Sequence, residues 1–387
     1  MPNPVKRAVQ FGAGNIGRGF LGQLYYESGY HTTFIDVDQT LVDALNARGE
    51  YPLRIVDEQT TTLAIGNVSA IHGSNLVAVS EALAEADIAA TAVGVSVMDR
   101  IGASLAAGLA QRFERIDARP LDVIVCENMI GAGPFMREVV RRSLDSRFHA
   151  DLDAKVGFVE ASIGRMVPVM SPAVRAEDPL LVEVEAYCEL PVDASGFRGP
   201  IPSIVHLQPK ADFGAYVERK LFVHNLGHAA AAYLGRARGH AYIWQAVEDP
   251  AVLPVVRGAM AETCLGLSRR HGLDLRDLHR HADDLLRRFH NKALGDQVAR
   301  VARDPIRKLG PNDRLIGAAR MCMGQGVEPV NVCRAIRAAI EYEDASDAAS
   351  MEIANLRREG GPGAVLRRIS GLEPGSALWD LLTIPKR

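Results

Sequence analysis

The stretch Phe11-Gly12-Ala13-Gly14-Asn15-Ile16-Gly17, read together with Asp36, decides the fold. Ahead of it Ala8, Val9 and Phe11 lie in a short apolar run, the pattern of a buried strand. Behind it a helical stretch passes through Leu24 and Tyr25 and stops near Gly29. Thr32-Thr33-Phe34-Ile35 then reads as a second strand ending at Asp36, 19 residues past Gly17. A G-x-G-x-x-G run alone is a weak signal, but between a strand and a helix it describes a dinucleotide turn. Gly12 permits the tight turn, Gly14 lets the backbone approach a pyrophosphate, and Gly17 lets the helix pack on the sheet. Ala13, Asn15 and Ile16 complete the loop, whose N–H groups and helix dipole receive phosphate. Asp36 accepts hydrogen bonds from ribose hydroxyls and repels a 2′-phosphate, so the expected cofactor is NAD rather than NADP.

The same rhythm continues outward. Ile88 to Val93 ends at Gly94, and Val123-Ile124-Val125-Cys126 runs into Glu127 and Asn128. Continuous apolar runs separated by helical segments suit strands covered on both faces, hence a doubly wound α/β sheet. Gly94 then falls at the carboxyl edge of the sheet, where a cofactor lies, or is merely a turn glycine. The character changes between about 155 and 200. Leu181 to Ala186 alternates valine with glutamate, as a half-buried antiparallel strand does. Asp193 to Pro200 is rich in turn residues and reads as a linker. Beyond it, helical stretches cover 213–236, 251–271, 275–289, 312–326 and 331–342. The expected division is a Rossmann-type nucleotide domain over 1–195 and an all-α, mainly helical domain over 196–387.

With 387 residues the chain is long for one core, which agrees with two domains. It is 48% hydrophobic and 24% charged, with net charge −3 and pI near 6.4. That balance gives no broad electrostatic footprint for nucleic acid or an anionic membrane, so an anionic substrate needs a local basic pocket. The five cysteines, Cys126, Cys188, Cys264, Cys322 and Cys333, form no C-x-x-C pair. They read as reduced, buried thiols, and no metal site is expected. No apolar stretch reaches the roughly 18 residues of a membrane span, and no apolar signal segment opens the chain. A cytoplasmic protein is expected.

The densest chemical signal is Phe213-Gly-Ala-Tyr-Val-Glu-Arg-Lys220-Leu-Phe-Val-His224-Asn225-Leu-Gly-His228. On an α-helix at about 100° per residue, Lys220, His224 and His228 fall near 0°, 40° and 80°, and Asn225 near 140°. All four could face one cleft, and periodicity does not separate His224 from His228.

Lys220-x-x-x-x-Asn225-x-x-His228 resembles the K-x-x-x-x-N-x-x-H signature of the polyol-specific long-chain dehydrogenases, the mannitol dehydrogenase family. The likeness extends through residues 11–20, Asp43 to Arg48, Cys126 to Met129, Val156 to Val159 and Val217 to Phe222. It continues through Gly227-His228, Arg307 to Leu309 and Asp313 to Ile316, so it spans nearly the whole chain. The resemblance implies an active site between the two domains, a monomer, and NAD-dependent interconversion of mannitol 1-phosphate and fructose 6-phosphate. Lys220 takes the role of general base, and Asn225 and Asn128 become donors to the reacting oxygen. His228 becomes a substrate-positioning residue. Oxidation of an alcohol needs a proton acceptor, so the lysine must be neutral, with its pKa brought down from roughly 10.4.

One departure stands out. Where the family commonly carries Asp-Arg, this chain has Gly164-Arg165. Arg165 is a candidate contact for an anionic substrate group. So is Lys308, in the basic run Arg303, Arg307, Lys308 and Arg314, which otherwise reads as a solvated face. His279, His281 and His290 read as solvated helix surface. Two alternatives stay open: a relative acting on hexuronates such as fructuronate or tagaturonate, or on free polyols, and a non-catalytic NAD sensor. A sensor needs no proton acceptor, which argues against the second.

Overall fold

The computed structural model describes residues 5–383 apart from Glu58, Asp117, Val169 and Ser171. Among them, six strands form one parallel sheet, in the spatial order Val68–His72, Tyr30–Asp36, Lys6–Phe11, Ile88–Thr91, Leu121–Val125, Val156–Glu160. Numbered along the chain this is 3-2-1-4-5-6, the doubly wound order whose reversal lies between the first and fourth strands. Alternate residues of each strand feed opposite cores. Val9, Phe11, Ala89, Val123 and Val125 pack on one face with Met98, Leu105 and Leu109. Ala8, Ile88, Ala90 and Ile124 pack on the other with Phe20, Leu24 and Tyr25. Burial on both faces is the physical cause of the unbroken apolar runs.

The glycine turn sits where the sheet order reverses. Gly12 has φ +89°, and a Cβ there would approach the Ala92 carbonyl oxygen to 2.5 Å. A Cβ on Gly17 would overlap the Gly12 carbonyl oxygen. The helix after the turn begins as a π turn, Gly17–Leu21, and continues as an α-helix over Gly22–Glu27.

Several expectations are corrected. Val182–Val184 is a strand, but it pairs parallel with Tyr51–Ile55, not antiparallel. Tyr51–Ile55 also pairs antiparallel with Thr61–Ile65, and neither had been anticipated. The supposed linker is folded. The Asp122 carboxylate accepts from the backbone N–H groups of Arg198 (2.7 Å) and Gly199 (3.3 Å), and Phe197 is buried. Leu190–Asp193 then pairs with Leu207–Lys210, which carries the first unit past the expected boundary at 195. The chain divides instead between Phe213 and Gly214.

Among its described residues, the regular elements of the second unit are all helices, apart from an isolated bridge between Tyr242 and Gln297. Its long helix Leu253–His271 buries Val256, Met260, Cys264 and Leu267 and ends at Gly272 in the left-handed conformation. Short helices at Ile243–Glu248, Val298–Ala302 and Pro305–Lys308 had not been anticipated. Ala348–Arg368 is broken at Gly360 and Gly361, just before Pro362. All five cysteines are free thiols, four of them buried and Cys188 half-buried. Among the described residues no helix is long and apolar enough to cross a membrane.

Candidate active site

The candidate nucleotide-binding residues lie in the first unit. Gly14 is exposed and a Cβ on it would meet nothing within 4 Å, so the loop is open where a pyrophosphate would approach. Asn15 anchors the loop by donating from its amide to the Pro168 carbonyl (3.1 Å). Arg18, buried, donates to the Ala13 carbonyl (2.6 Å). Asp36 ends its strand and ties the loop to it: Oδ2 accepts from Ala13 N (2.7 Å), and Oδ1 from Val37 N (2.7 Å) and Asp38 N (3.1 Å). A carboxylate offers about four acceptor sites, so capacity for a ribose hydroxyl remains. Gly94, at φ +90°, begins the turn after the fourth strand, with open space around its α-carbon. The Glu127 carboxylate clamps that turn by accepting from Val93 N (2.8 Å) and Gly94 N (2.9 Å). Asn128 follows immediately, exposed at the carboxyl end of its strand. The open loop, the glycine pinned by its neighbours and the carboxylate at the second strand end together fit a dinucleotide.

The candidate proton-handling residues lie in the second unit, and their backbone is not the plain α-helix that the sequence suggested. Phe213–Arg219 is α-helical, Lys220–Asn225 is a π turn, and Leu226–Ala237 is α-helical again. A π turn bonds residues five apart, which is the spacing from Lys220 to Asn225, so the wide α-helical angle between them no longer applies. His228 follows Asn225 by three residues, on the same face of the next helix. His224 stays close to this set, its ring 6.1 Å from that of His228, and differs from it in burial. It is buried, its ring 5.9 Å from that of Phe289, and burial, reinforced by Arg288, holds its imidazole well below the usual range.

Lys220 has a strongly altered acidity. Burial, with the Arg314 and Arg307 charges adding to it, brings its ammonium down to about 8. Desolvation penalises the charged form, and two nearby cations penalise it again. His228 is held on two sides: its ring stacks on Phe289 at 4.9 Å and 14°, and Nε2 lies 2.7 Å from Asp296 Oδ2. Asp296 is buried and also accepts from Arg300 Nε (2.9 Å). Burial works to raise the Asp296 carboxyl, but His228 and Arg300 outweigh it and hold it below its ordinary value. Sequence reading missed Asp296. Its sole signal was an acid four residues before Arg300, which many surface helices share.

The basic run splits in two. Arg303 and Arg307 are exposed, whereas Lys308 and Arg314 are buried and so do not belong to a solvated face. Lys308 ends the short helix Pro305–Lys308, which is capped by Asp304 in the left-handed region at φ +59°. Its ammonium donates to the Arg303 carbonyl, and burial, with Arg314 and Arg307, brings it down to about 7. Arg314 shares the influence on both lysines, so Lys220, Lys308 and Arg314 form one cationic neighbourhood.

Arg165 is fully engaged within its own unit. Its guanidinium is buried in the first unit, donating to the Glu185 carbonyl (2.8 and 3.0 Å), the Gly19 carbonyl (3.1 Å) and Gln23 Oε1 (2.7 Å). That bonding accounts for its retention, and it leaves the substrate-binding set. At Gly164, a Cβ would come within 3.2 Å of the Tyr187 ring, so an aspartate there would crowd that side chain. His281 is also corrected, since burial and then Arg219 bring its imidazole down to about 3, whereas His279 is exposed as read. Among the described residues no group of three or more His, Cys, Asp or Glu is arranged to hold a metal ion.

Comparison with known proteins agrees with this arrangement of two units. Residues 6–205 match the mannitol dehydrogenase Rossmann domain, and residues 212–369 match the mannitol dehydrogenase C-terminal domain. This chain belongs to the mannitol dehydrogenase family. Among the relatives of this family member, mannitol-1-phosphate 5-dehydrogenase of Brevibacillus brevis is 39% identical over 375 residues, 97% of this chain and 96% of the relative. Two solved structures share the fold at low identity. A Pseudomonas fluorescens mannitol 2-dehydrogenase, in a ternary complex with NAD and D-mannitol, has TM-score 0.73 at 18% identity, covering 98% of this chain and 94% of its own. A substrate-free D-sorbitol dehydrogenase has TM-score 0.81 at 15% identity, covering 99% and 95%.

Proposed function

We propose that this member of the mannitol dehydrogenase family is an NAD-dependent mannitol-1-phosphate 5-dehydrogenase, interconverting mannitol 1-phosphate and fructose 6-phosphate without a metal. The observation that carries the reading is Lys220, a desolvated lysine brought down to about 8, placed with Asn225 and His228 by a π turn. The 39% identity to a mannitol-1-phosphate 5-dehydrogenase over nearly the whole chain supports the choice of substrate.

NAD, when bound by the Gly12–Gly17 loop, Asp36 and the Gly94 turn, supplies the acceptor for the hydride. The protein's own residues handle the proton. In the oxidation direction neutral Lys220 Nζ takes the proton of the reacting hydroxyl, and in reduction the ammonium returns it. Asn225, with Asn128 as a second amide donor, stabilises charge developing on that oxygen. His228 orients a neighbouring hydroxyl. Arg314 already pairs with Asp313 Oδ1 at 2.7 Å, so Lys308 is the residue that favours an anionic substrate end: burial weakens its ammonium, and a counter-charge beside it restores the charged form. A free polyol offers no such charge.

A hexuronate would also bring an anion, so the decisive test is a panel. Rates of NADH oxidation should be compared for fructose 6-phosphate, fructose, fructuronate and tagaturonate. The reading expects fructose 6-phosphate to lead in kcat/KM by at least about tenfold. Preference for either uronate would overturn the substrate assignment and leave the lysine-base assignment standing.

A further inference from the structure

We infer that Asp296, braced by Arg300, is a positioning residue that fixes both the orientation of the His228 ring and which of its nitrogens carries the proton. The inference rests on the proposed role of His228 in orienting a substrate hydroxyl. The ring is already confined in its plane by stacking on Phe289 at 4.9 Å. Stacking cannot choose a tautomer, because both ring edges look alike to an aromatic face. The carboxylate can: an ionised aspartate accepts and does not donate, so Nε2, 2.7 Å from Oδ2, must carry a hydrogen. In the neutral imidazole this leaves Nδ1 as an acceptor, suited to receive a hydrogen bond from a substrate hydroxyl.

Arg300 gives the arrangement its direction. Its Nε donates to Oδ1, the oxygen that His228 does not use, at 2.9 Å. The backbone around Asp296 is pinned as well, since the Asp296 carbonyl accepts from Ile243 N (2.9 Å) and Val298 N donates to the Ala241 carbonyl (2.9 Å). Neither carboxylate oxygen is therefore at liberty to turn away from the histidine.

This geometry makes Asp296→Asn an informative variant. Arg300 must keep an acceptor, so the amide oxygen goes to Arg300 and the amide NH2 faces His228 Nε2. Nε2 then has to accept, the hydrogen moves to Nδ1, and the hydroxyl acceptor is lost. The expected result is a fall in kcat/KM for fructose 6-phosphate of at least about tenfold, carried mainly by kcat, with KM for NADH and Tm close to wild type. In a His228→Ala background the same substitution should cost less than about twofold, because there is no ring left to position. Asp296→Glu, which keeps an ionised acceptor, should recover most of the rate. Wild-type kinetics for Asp296→Asn, or an equal loss in both backgrounds, would overturn the inference alone. Wild-type kinetics for His228→Ala would overturn the role of His228 and the inference with it. Should Asp296→Asn fail to fold, 15N NMR of histidine-labelled wild type decides the matter: a hydrogen on Nε2 supports the inference, and the neutral Nδ1–H tautomer overturns it.

Discussion

Replacing Lys220 by alanine should abolish proton acceptance while leaving the fold and NADH binding in place. The size of the effect follows from the environment of the ammonium. At pH 7.5 a lysine with its ordinary value of 10.5 is neutral in about one molecule in a thousand, whereas one brought down to about 8 is neutral in roughly a quarter. Burial thus raises the available base roughly 250-fold, and a positioned general base contributes about 10²–10⁴ in rate. Lys220→Ala should lose kcat for mannitol 1-phosphate oxidation within that range. Wild-type kcat/KM for oxidation should rise with pH and level off above about 8, and reduction of fructose 6-phosphate should fall over the same window. The variant should lose both dependences. The sign for stability is the opposite of a simple loss. Between pH 8 and 10.5 the unfolded lysine holds a proton that the folded one releases, so wild-type stability grows with rising pH in that window and is lowest below it. The Tm of the variant relative to wild type should therefore fall further as pH rises from 8 to 10.5. His224→Ala is the control: it empties a buried position beside Phe289, so Tm should fall while kcat stays within a few-fold. A crippled His224→Ala beside an active Lys220→Ala with an unchanged pH profile would refute the reasoning.

Asp36→Ala should weaken NAD use and relax discrimination against NADP, measured as the ratio of kcat/KM values; a wild type that prefers NADP tenfold would contradict this assignment. Because Asp36 also holds Ala13 N at 2.7 Å, the variant should lose some affinity for both cofactors. Lys308→Ala should raise KM for fructose 6-phosphate far more than KM for NADH, and an unchanged KM would confine Lys308 to supporting the Arg303 carbonyl. Prolonged treatment with a strong chelator should leave activity unaltered, and a loss that zinc restores would remove the lysine-base mechanism.

The sheet was largely legible because its glycines and apolar runs each have one dominant physical meaning. A continuous run such as Val123 to Cys126 must be covered on both faces, and Gly12 is needed where the chain turns under Ala92. The strand Val68–His72 was not legible, because its Ser69 and the partly exposed Ile71 and His72 dilute the apolar run. The end of the first unit was misplaced because turn-rich residues such as Gly196 and Gly199 were taken for a linker. Local composition cannot show that Asp122, far back in the chain, binds the backbone of Arg198 and Gly199. In the site, the residue types at 220, 225 and 228 were readable but their geometry was not. A π turn has no marker that a helical wheel detects, and burial, which no wheel angle reports, is what sets His224 apart. The burial of Arg165 and the Asp296–His228 pair depend on contacts across 20 and 68 residues, which spacing alone does not report.

The central claim is tested most directly by following the hydride. Fructose 6-phosphate should be reduced with NADH carrying deuterium at C4 of the nicotinamide, and the product identified by NMR. The account predicts mannitol 1-phosphate with deuterium at C5, formed by wild type and at a rate at least about 10²-fold lower by Lys220→Ala. A product of the other configuration at that carbon, or no turnover of fructose 6-phosphate beside ready turnover of a uronate or a free ketose, would contradict it.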